Sequence, residues 1–212
     1  MLSVATIVTN ISTNAEVTKA TVAYYNFIQG KERAGIERAI LTGTFAADKF
    51  NQGMYQKFIK FLTEQNTYFY SFNAFANDEN KSYFLQKQND PSIKEVTKLR
   101  KIAIDNAILG SFNVDATYWF AKSTNRISVL KNIENKLNQS LLALTKNTQE
   151  KAFSTLLFLV TYSLTILLLV AIISFYILKE LHSQVLDLTL VMSKVSHEND
   201  LTVRAKLLVR AS

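Results

Sequence analysis

An all-α fold is predicted by three features of the sequence. The chain has one proline and five glycines in 212 residues, its apolar residues recur every three or four positions over long stretches, and one charge-free apolar run is long enough to cross a bilayer. Sheets built on tight turns need glycine and proline, and this chain is poor in both. The expected architecture is an extracytoplasmic antiparallel helical bundle over residues 1–151, one transmembrane helix over 152–178, and the start of a parallel coiled coil over 179–212. With no cysteine, the chain has neither a disulfide framework nor a thiolate metal site, so packing alone must hold the bundle.

The elements follow in order. A first helix is expected from about Asn14 to Leu41, with Val22, Tyr25 and Ile28 leading into the charged stretch Lys31-Glu32-Arg33-Ala34-Gly35-Ile36-Glu37-Arg38-Ala39. After Gly43 a second helix is signalled from Asp48 to Asn77, where Phe50, Met54, Phe58, Phe61, Leu62, Tyr68, Phe69 and Phe72 recur at spacings of three and four and give a wide aromatic face. Asn77-Asp78-Glu79-Asn80 and Asn89-Asp90-Pro91-Ser92 read as turns. Pro91 suits the start of a third helix, because the first turn leaves its N–H groups unsatisfied in any case. That helix carries Val96, Leu99, Ile102 and Ala103. The pattern breaks at Gly110-Ser111-Phe112-Asn113, and Asp115 is placed to cap a last helix. In it Tyr118, Trp119, Ile127, Leu130, Ile133, Leu137, Leu141 and Leu144 run without a breaker to Lys151.

Residues 152–178 carry no charge and exceed the roughly 20 residues needed to span the hydrocarbon core. Their Leu, Ile, Phe and Val content corresponds to an apparent insertion free energy of about −5 to −10 kcal/mol. A buried core helix of a soluble domain is the competing reading. Lys179, Lys194, Arg204, Lys206 and Arg210 follow the run, against Lys146 and Lys151 before it, which puts the C-terminus in the cytoplasm and the bundle in the periplasm or outside the cell. The opening Met-Leu-Ser-Val-Ala-Thr-Ile-Val lacks the basic and long apolar regions of a signal peptide, so either the internal run is a late anchor or earlier sequence is missing. Beyond it, Leu181, Val185, Leu188, Met192 and Val195 alternate in steps of four and three. That is a heptad seam, which calls for a second copy of the chain or another partner helix; an interfacial amphipathic helix is the alternative.

The formal charge of +7 suits nucleic acid, anionic lipid or a small anion. No dense basic run is interleaved with aromatics, which argues against nucleic acid. His182 and His197 are far apart and without cysteine, so no metal site is expected. Glu32 and Glu37 lie among arginines that keep them ionised, and no nucleophile or phosphate-binding loop accompanies them. The chain is therefore not expected to be an enzyme or to carry a cofactor.

In the charged stretch, Gly35, Ala39 and Gly43 line up every fourth residue and suggest close helix approach or ligand access, since glycine costs about 1 kcal/mol relative to alanine inside a helix. Arg33 and Glu37 are spaced to pair on one helix face. Arg33 and Arg38 point about 140° apart, so an anion site built from both needs a second helix or a second subunit. Arginine fits a planar oxyanion because its fixed fork of donors matches two oxygens and stays charged when desolvated.

The stretch from Asn26 to Ala39, followed by Phe45, Tyr118-Trp119-Phe120, and Thr124 with Arg126-Ile127 ahead of the apolar run, resembles the nitrate- and nitrite-sensing (NIT) domain of bacterial receptors. The tail Glu198-Asn199-Asp200-Leu201-Thr202 with Arg204 resembles the start of a HAMP signalling module. The resemblance implies nitrate or nitrite binding by Arg33 and Arg38 on the first helix, with Arg126 on the last as a third ligand. It also implies a homodimeric transmembrane receptor, as in chemotaxis, shortened at both ends. Two other readings compete: a membrane-tethered bundle that docks a protein through its aromatic helix and binds no small molecule, and the sensor half of a kinase or nucleotide cyclase.

Overall fold

The first helix, α1 (Ala15–Ala46), begins where the Asn14 side chain accepts hydrogen bonds from the backbone N–H of Glu16 (2.9 Å) and Val17 (3.2 Å), satisfying donors that a helix start leaves open. The computed structural model describes residues 14–198, and among them the remaining helices are α2 (Met54–Phe75), α3 (Asp78–Lys87), α4 (Pro91–Asp105) and α5 (Ala116–Glu198). The chain divides into two units, Met1–Thr148 and Gln149–Ser212.

In the first unit the helices run up and down. Toward one end, Ala23, Phe27 and Ala34 of α1 meet Phe72 of α2, Phe84 of α3, and Leu130, Ile133 and Leu137 of α5. Toward the other, Leu41 and Phe45 of α1 meet Phe58 of α2, Val96, Leu99 and Ala103 of α4, and Trp119 of α5. Helices α3 and α4 thus share the fourth position of a four-helix bundle, each filling half of it. Their junction is local chemistry: Asp90 Oδ1 accepts from the Ser92 N–H (2.8 Å) and hydroxyl (2.6 Å), and Pro91 opens α4.

Several expectations hold and several do not. Helix α1 continues through Gly43 to Ala46, and α2 starts at Met54 instead of Asp48, because Asp48 is used elsewhere. Its carboxylate accepts the Phe112 N–H (2.7 Å) and its carbonyl the Ser111 N–H (3.0 Å), tying the α1–α2 turn to the loop before α5. Gly110 lies at φ 71°, where a Cβ would also come within 2.6 Å of that carbonyl. The Asn77–Asn80 cluster is not a turn between long helices but the start of α3, with the Asn77 side chain capping it by accepting from the Asn80 N–H (2.9 Å). Asp115 does cap α5, through the Tyr118 N–H (2.6 Å). The aromatic face of α2 turns inward: Phe58 and Phe72 are buried, and Phe69 packs on Phe27 and Phe84.

In the second unit every side chain from 149 to 190 is exposed. Helix α5 holds a window of mean hydropathy 2.8, the one stretch among the described residues long and apolar enough to cross a membrane, and none of that window is buried. A soluble core helix passes the same length test but is covered by protein. The heptad residues Leu181, Val185, Leu188 and Met192 are exposed on α5 as well. The connector at 199–204 and the opening residues lie outside the described residues.

The expected glycine groove is corrected too. A Cβ at Gly35 or Gly43 would meet nothing within 4 Å, whereas one at Gly30 would sit 2.7 Å from the Phe69 ring, so Gly30 is where α1 and α2 approach closely. Overpacking at that site costs about 1–3 kcal/mol and the helix gains about 1 from alanine. Gly30→Ala is expected to lower the unfolding free energy in chemical denaturation by about 1 kcal/mol, and Gly35→Ala to raise it by about 0.5–1 kcal/mol, since only the propensity gain acts there.

Candidate functional site

Between the two apolar clusters lies a buried polar layer. It is built from one residue of each neighbouring helix position: Glu37 on α1, Gln65 on α2, Arg100 on α4 and Arg126 on α5. Glu37 and Gln65 are each 1% exposed and Arg126 6%. Arg100 donates from Nε to Glu37 Oε1, and from Nη2 to Glu37 Oε2 (2.5 Å) and Gln65 Oε1 (2.8 Å). Arg126 donates from Nη1 to Glu37 Oε2 (3.3 Å) and from Nη2 to Gln65 Oε1. The Gln65 amide completes the layer, donating to Glu37 Oε2 (3.0 Å). A buried ion group survives only when its charges are paired and its lone pairs occupied, and here both Glu37 oxygens are.

The layer is not electrically balanced. Two guanidiniums face one carboxylate, leaving an excess of one positive charge inside the bundle. Burial pushes the Glu37 carboxyl up, but the Arg100 charge and hydrogen bond, the Arg126 charge and the Gln65 amide outweigh it and hold the group below its ordinary value of 4.5. Burial first, and the Arg100 charge second, push Arg126 down to about 9 against the pull of Glu37, so it keeps its proton at neutral pH.

The three arginines expected to bind ligand have separate surroundings. Arg33 does not pair with Glu37. It donates to Glu64 Oε2 on α2 (3.0 Å) and to the Gln29 side chain, and lies over the Tyr68 ring at 4.6 Å. The i, i+4 pairing fails because Glu37 points into the bundle, where longer-range partners surround it. Arg38 donates to Thr124 Oγ1 on α5 (2.9 Å), stacks on Phe120 at 4.9 Å, and makes no ion pair among the described residues. Its backbone carbonyl accepts from Trp119 Nε1 (3.0 Å), which fixes α1 against α5 at this level. Arg126 is the one of the three inside the polar layer. Lys31 is held by Glu134 of α5, which also takes Lys131 (2.6 Å); burial raises the Glu134 carboxyl, and Lys131 and Lys31 together bring it below the ordinary value.

Arg100 and Gln65 were not among the residues expected to form a site. Gln65 does carry a signal, since it stands seven residues from both Phe58 and Phe72, in an apolar register. Arg126 stands likewise between Trp119 and Ile133. Arg100 carries one as well, standing seven residues after Ile93, four after Val96 and three before Ala103, all buried. Among the described residues no group of three His, Cys, Asp or Glu side chains is arranged to hold a metal ion.

A helical bundle with unbalanced buried arginines is the kind of domain that can hold a small anion. The chain belongs to the nitrate and nitrite sensing (NIT) family, whose pattern residues 1–142 match. It is also 33% identical over 121 residues to the nitrate regulatory protein of Klebsiella oxytoca, a match that covers 57% of this chain and 30% of that protein. No solved structure matches the chain.

The charge imbalance makes the two sides of the ion group unequal. Glu37→Gln leaves two guanidiniums without a counter-charge and is expected to cost about 3–5 kcal/mol in a low-salt denaturant titration. Arg126→Met leaves a balanced Arg100–Glu37 pair and should cost less than about half as much. Because folding lowers the Glu37 pKa, its contribution is complete above about 4.5 and is lost as pH falls through the lower folded value. The stability gap between the native chain and Glu37→Gln should accordingly narrow in unfolding curves recorded below that pH.

Proposed function

We propose that this chain is the sensing and membrane-anchoring portion of a transmembrane receptor for nitrate or nitrite. The observation that carries this reading is the excess positive charge of the Glu37–Gln65–Arg100–Arg126 layer in a bundle of the nitrate and nitrite sensing family. Arg126 and Arg38 are the cations assigned to the anion. The first is buried and faces a second guanidinium, and the second has a hydroxyl and a ring but no carboxylate partner among the described residues. Arg33, already neutralised by Glu64, is assigned a supporting part. The inward turn of the α2 aromatic face favours a sensor over a protein-docking bundle, because the surface such docking needs is spent on the core.

The charge-free stretch of α5 is assigned to the bilayer. The excess of lysines and arginines beyond it supports a cytoplasmic C-terminal side and a bundle outside the cell membrane. A monovalent oxyanion that binds one packing state of the bundle more tightly shifts the population toward that state, and helix displacements of about 1–2 Å are enough for such switching. Continuity of α5 from Ala116 to Glu198 offers a route for the shift to the exposed heptad seam, where a second copy of the chain is the assigned partner. The output is a chemotaxis domain or another effector. The similarity to a nitrate regulatory protein, over 30% of that protein's length, supports a regulator as readily as a chemoreceptor.

Calorimetric titration of the full chain in detergent or nanodiscs tests the assignment. Nitrate or nitrite should give saturable heat that chloride and sulfate at equal ionic strength do not. Arg126→Gln should weaken that binding about 10- to 100-fold, the worth of one or two charge-assisted hydrogen bonds. Absence of selective heat, or unaltered binding in the Arg126 and Arg38 variants, would overturn the reading.

A further inference from the structure

The ligand assigned above is a planar or bent oxyanion of one negative charge, and the polar layer already contains such a group. The Glu37 carboxylate is planar, singly charged and 1% exposed. It is held by the contacts that chemistry prescribes for an oxyanion: the Arg100 fork across both oxygens, the Gln65 amide at 3.0 Å and Arg126 Nη1 at 3.3 Å. The cavities around Glu79 and Lys136 and around Asn80 and Ser140 are lined by other residues. Room for an anion at the arginines therefore comes most directly from the volume that the Glu37 carboxylate itself fills.

The geometry points to Glu37 as a tethered competitor of the ligand: its carboxylate holds the Arg100–Gln65–Arg126 cradle, and nitrate or nitrite enters by taking its place. This rests on the nitrate or nitrite reading and adds to it a residue that opposes binding. The exchange has a mechanical result. Through Glu37, α1 is bonded to α2, α4 and α5 at one level, and a free anion in the cradle keeps α2, α4 and α5 joined while removing this tie to α1. The ligand thus changes which helices are tied together without changing the charge that the cradle holds.

The groups that face Glu37 are Gln65 from α2, Arg100 from α4 and Arg126 from α5, with Arg33 and Arg38 next to it on its own helix. The guanidiniums stay charged throughout the carboxylate range, so Glu37 is the group of this layer whose titration can alter anion affinity there. Lowering the pH neutralises the competitor, and affinity should rise as it does.

The test uses the full chain in detergent, with sodium nitrate and sodium nitrite as probes and sodium sulfate as the control at matched ionic strength. Glu37→Gln and Glu37→Ala should bind nitrate or nitrite at least tenfold more tightly than the native chain. In both variants the rise of nitrate affinity expected of the native chain as pH falls below 4.5 should vanish. If Glu37→Gln unfolds in low salt, nitrate should restore a cooperative thermal transition where sulfate does not. Nitrate binding by the native chain with equal or weaker binding in both variants would overturn the competitor assignment and leave the sensor reading standing. A variant that stays unfolded in nitrate would do the same. No binding by the native chain or by either variant would overturn both.

Discussion

A carboxylate taken out of water costs several kcal/mol even after the protein has relaxed around it, and Glu37 lies at the centre of the bundle with almost no solvent contact. The fold must therefore bring compensation from elsewhere in the chain. It does so from three directions at a single level: an amide from α2, a forked guanidinium from α4, and a second guanidinium from α5. Each donor has to be on the correct face of its helix and at the correct height. The packing of four helix positions is thereby subordinated to one side chain. The aromatic clusters on either side can be repacked in many ways, but the polar layer closes in one.

That priority explains which parts of the architecture are legible in the sequence. Helix starts at Asn14, Asp90-Pro91 and Asp115 can be read because a cap is a local arrangement, made by a side chain and the backbone two or three residues on. The membrane-length apolar run and the all-helical character are legible for the same reason. Asn77 misleads because the chemistry that makes asparagine a turn former also makes it a cap, and only the packing of Phe84 against α1 and α2 decides for a helix. The spacing of Arg33 and Glu37 suggests a local pair that is lost to partners far along the chain. Glu37 meets Arg100 and Arg126, and Arg33 meets Glu64, through contacts that no short window contains. Gln65 and Arg126 stood in apolar register and so betrayed a polar layer. Arg100 stands in register with Ile93, Val96 and Ala103 in the same way, but the register alone does not tell which partner far along the chain it meets.

The two units also show how one chemical property acquires different meanings. Apolar side chains on the first part of α5, such as Trp119, Leu130 and Ile133, are covered by the other helices. Those from Phe153 to Leu178 are exposed, and together they form the one stretch among the described residues long and apolar enough to cross a membrane. Arg38 stands between these regimes, stacked on a Phe120 ring that is itself 48% exposed. Its charge meets the surroundings there without the acid that usually accompanies an interior arginine.

The seven-residue spacing of the polar layer has one more consequence. Gln65 lies midway between Phe58 and Phe72, and Arg126 midway between Trp119 and Ile133, so each helix presents one polar rung between two apolar ones. An axial step of one turn, about 5.4 Å, would thrust Arg126 among hydrocarbon neighbours and leave Glu37 without its second cation. The layer thus acts as a keyed joint that blocks a one-turn step of α5 in the bundle, and it leaves smaller displacements, tilt and rotation as the motions through which the bundle can answer a ligand.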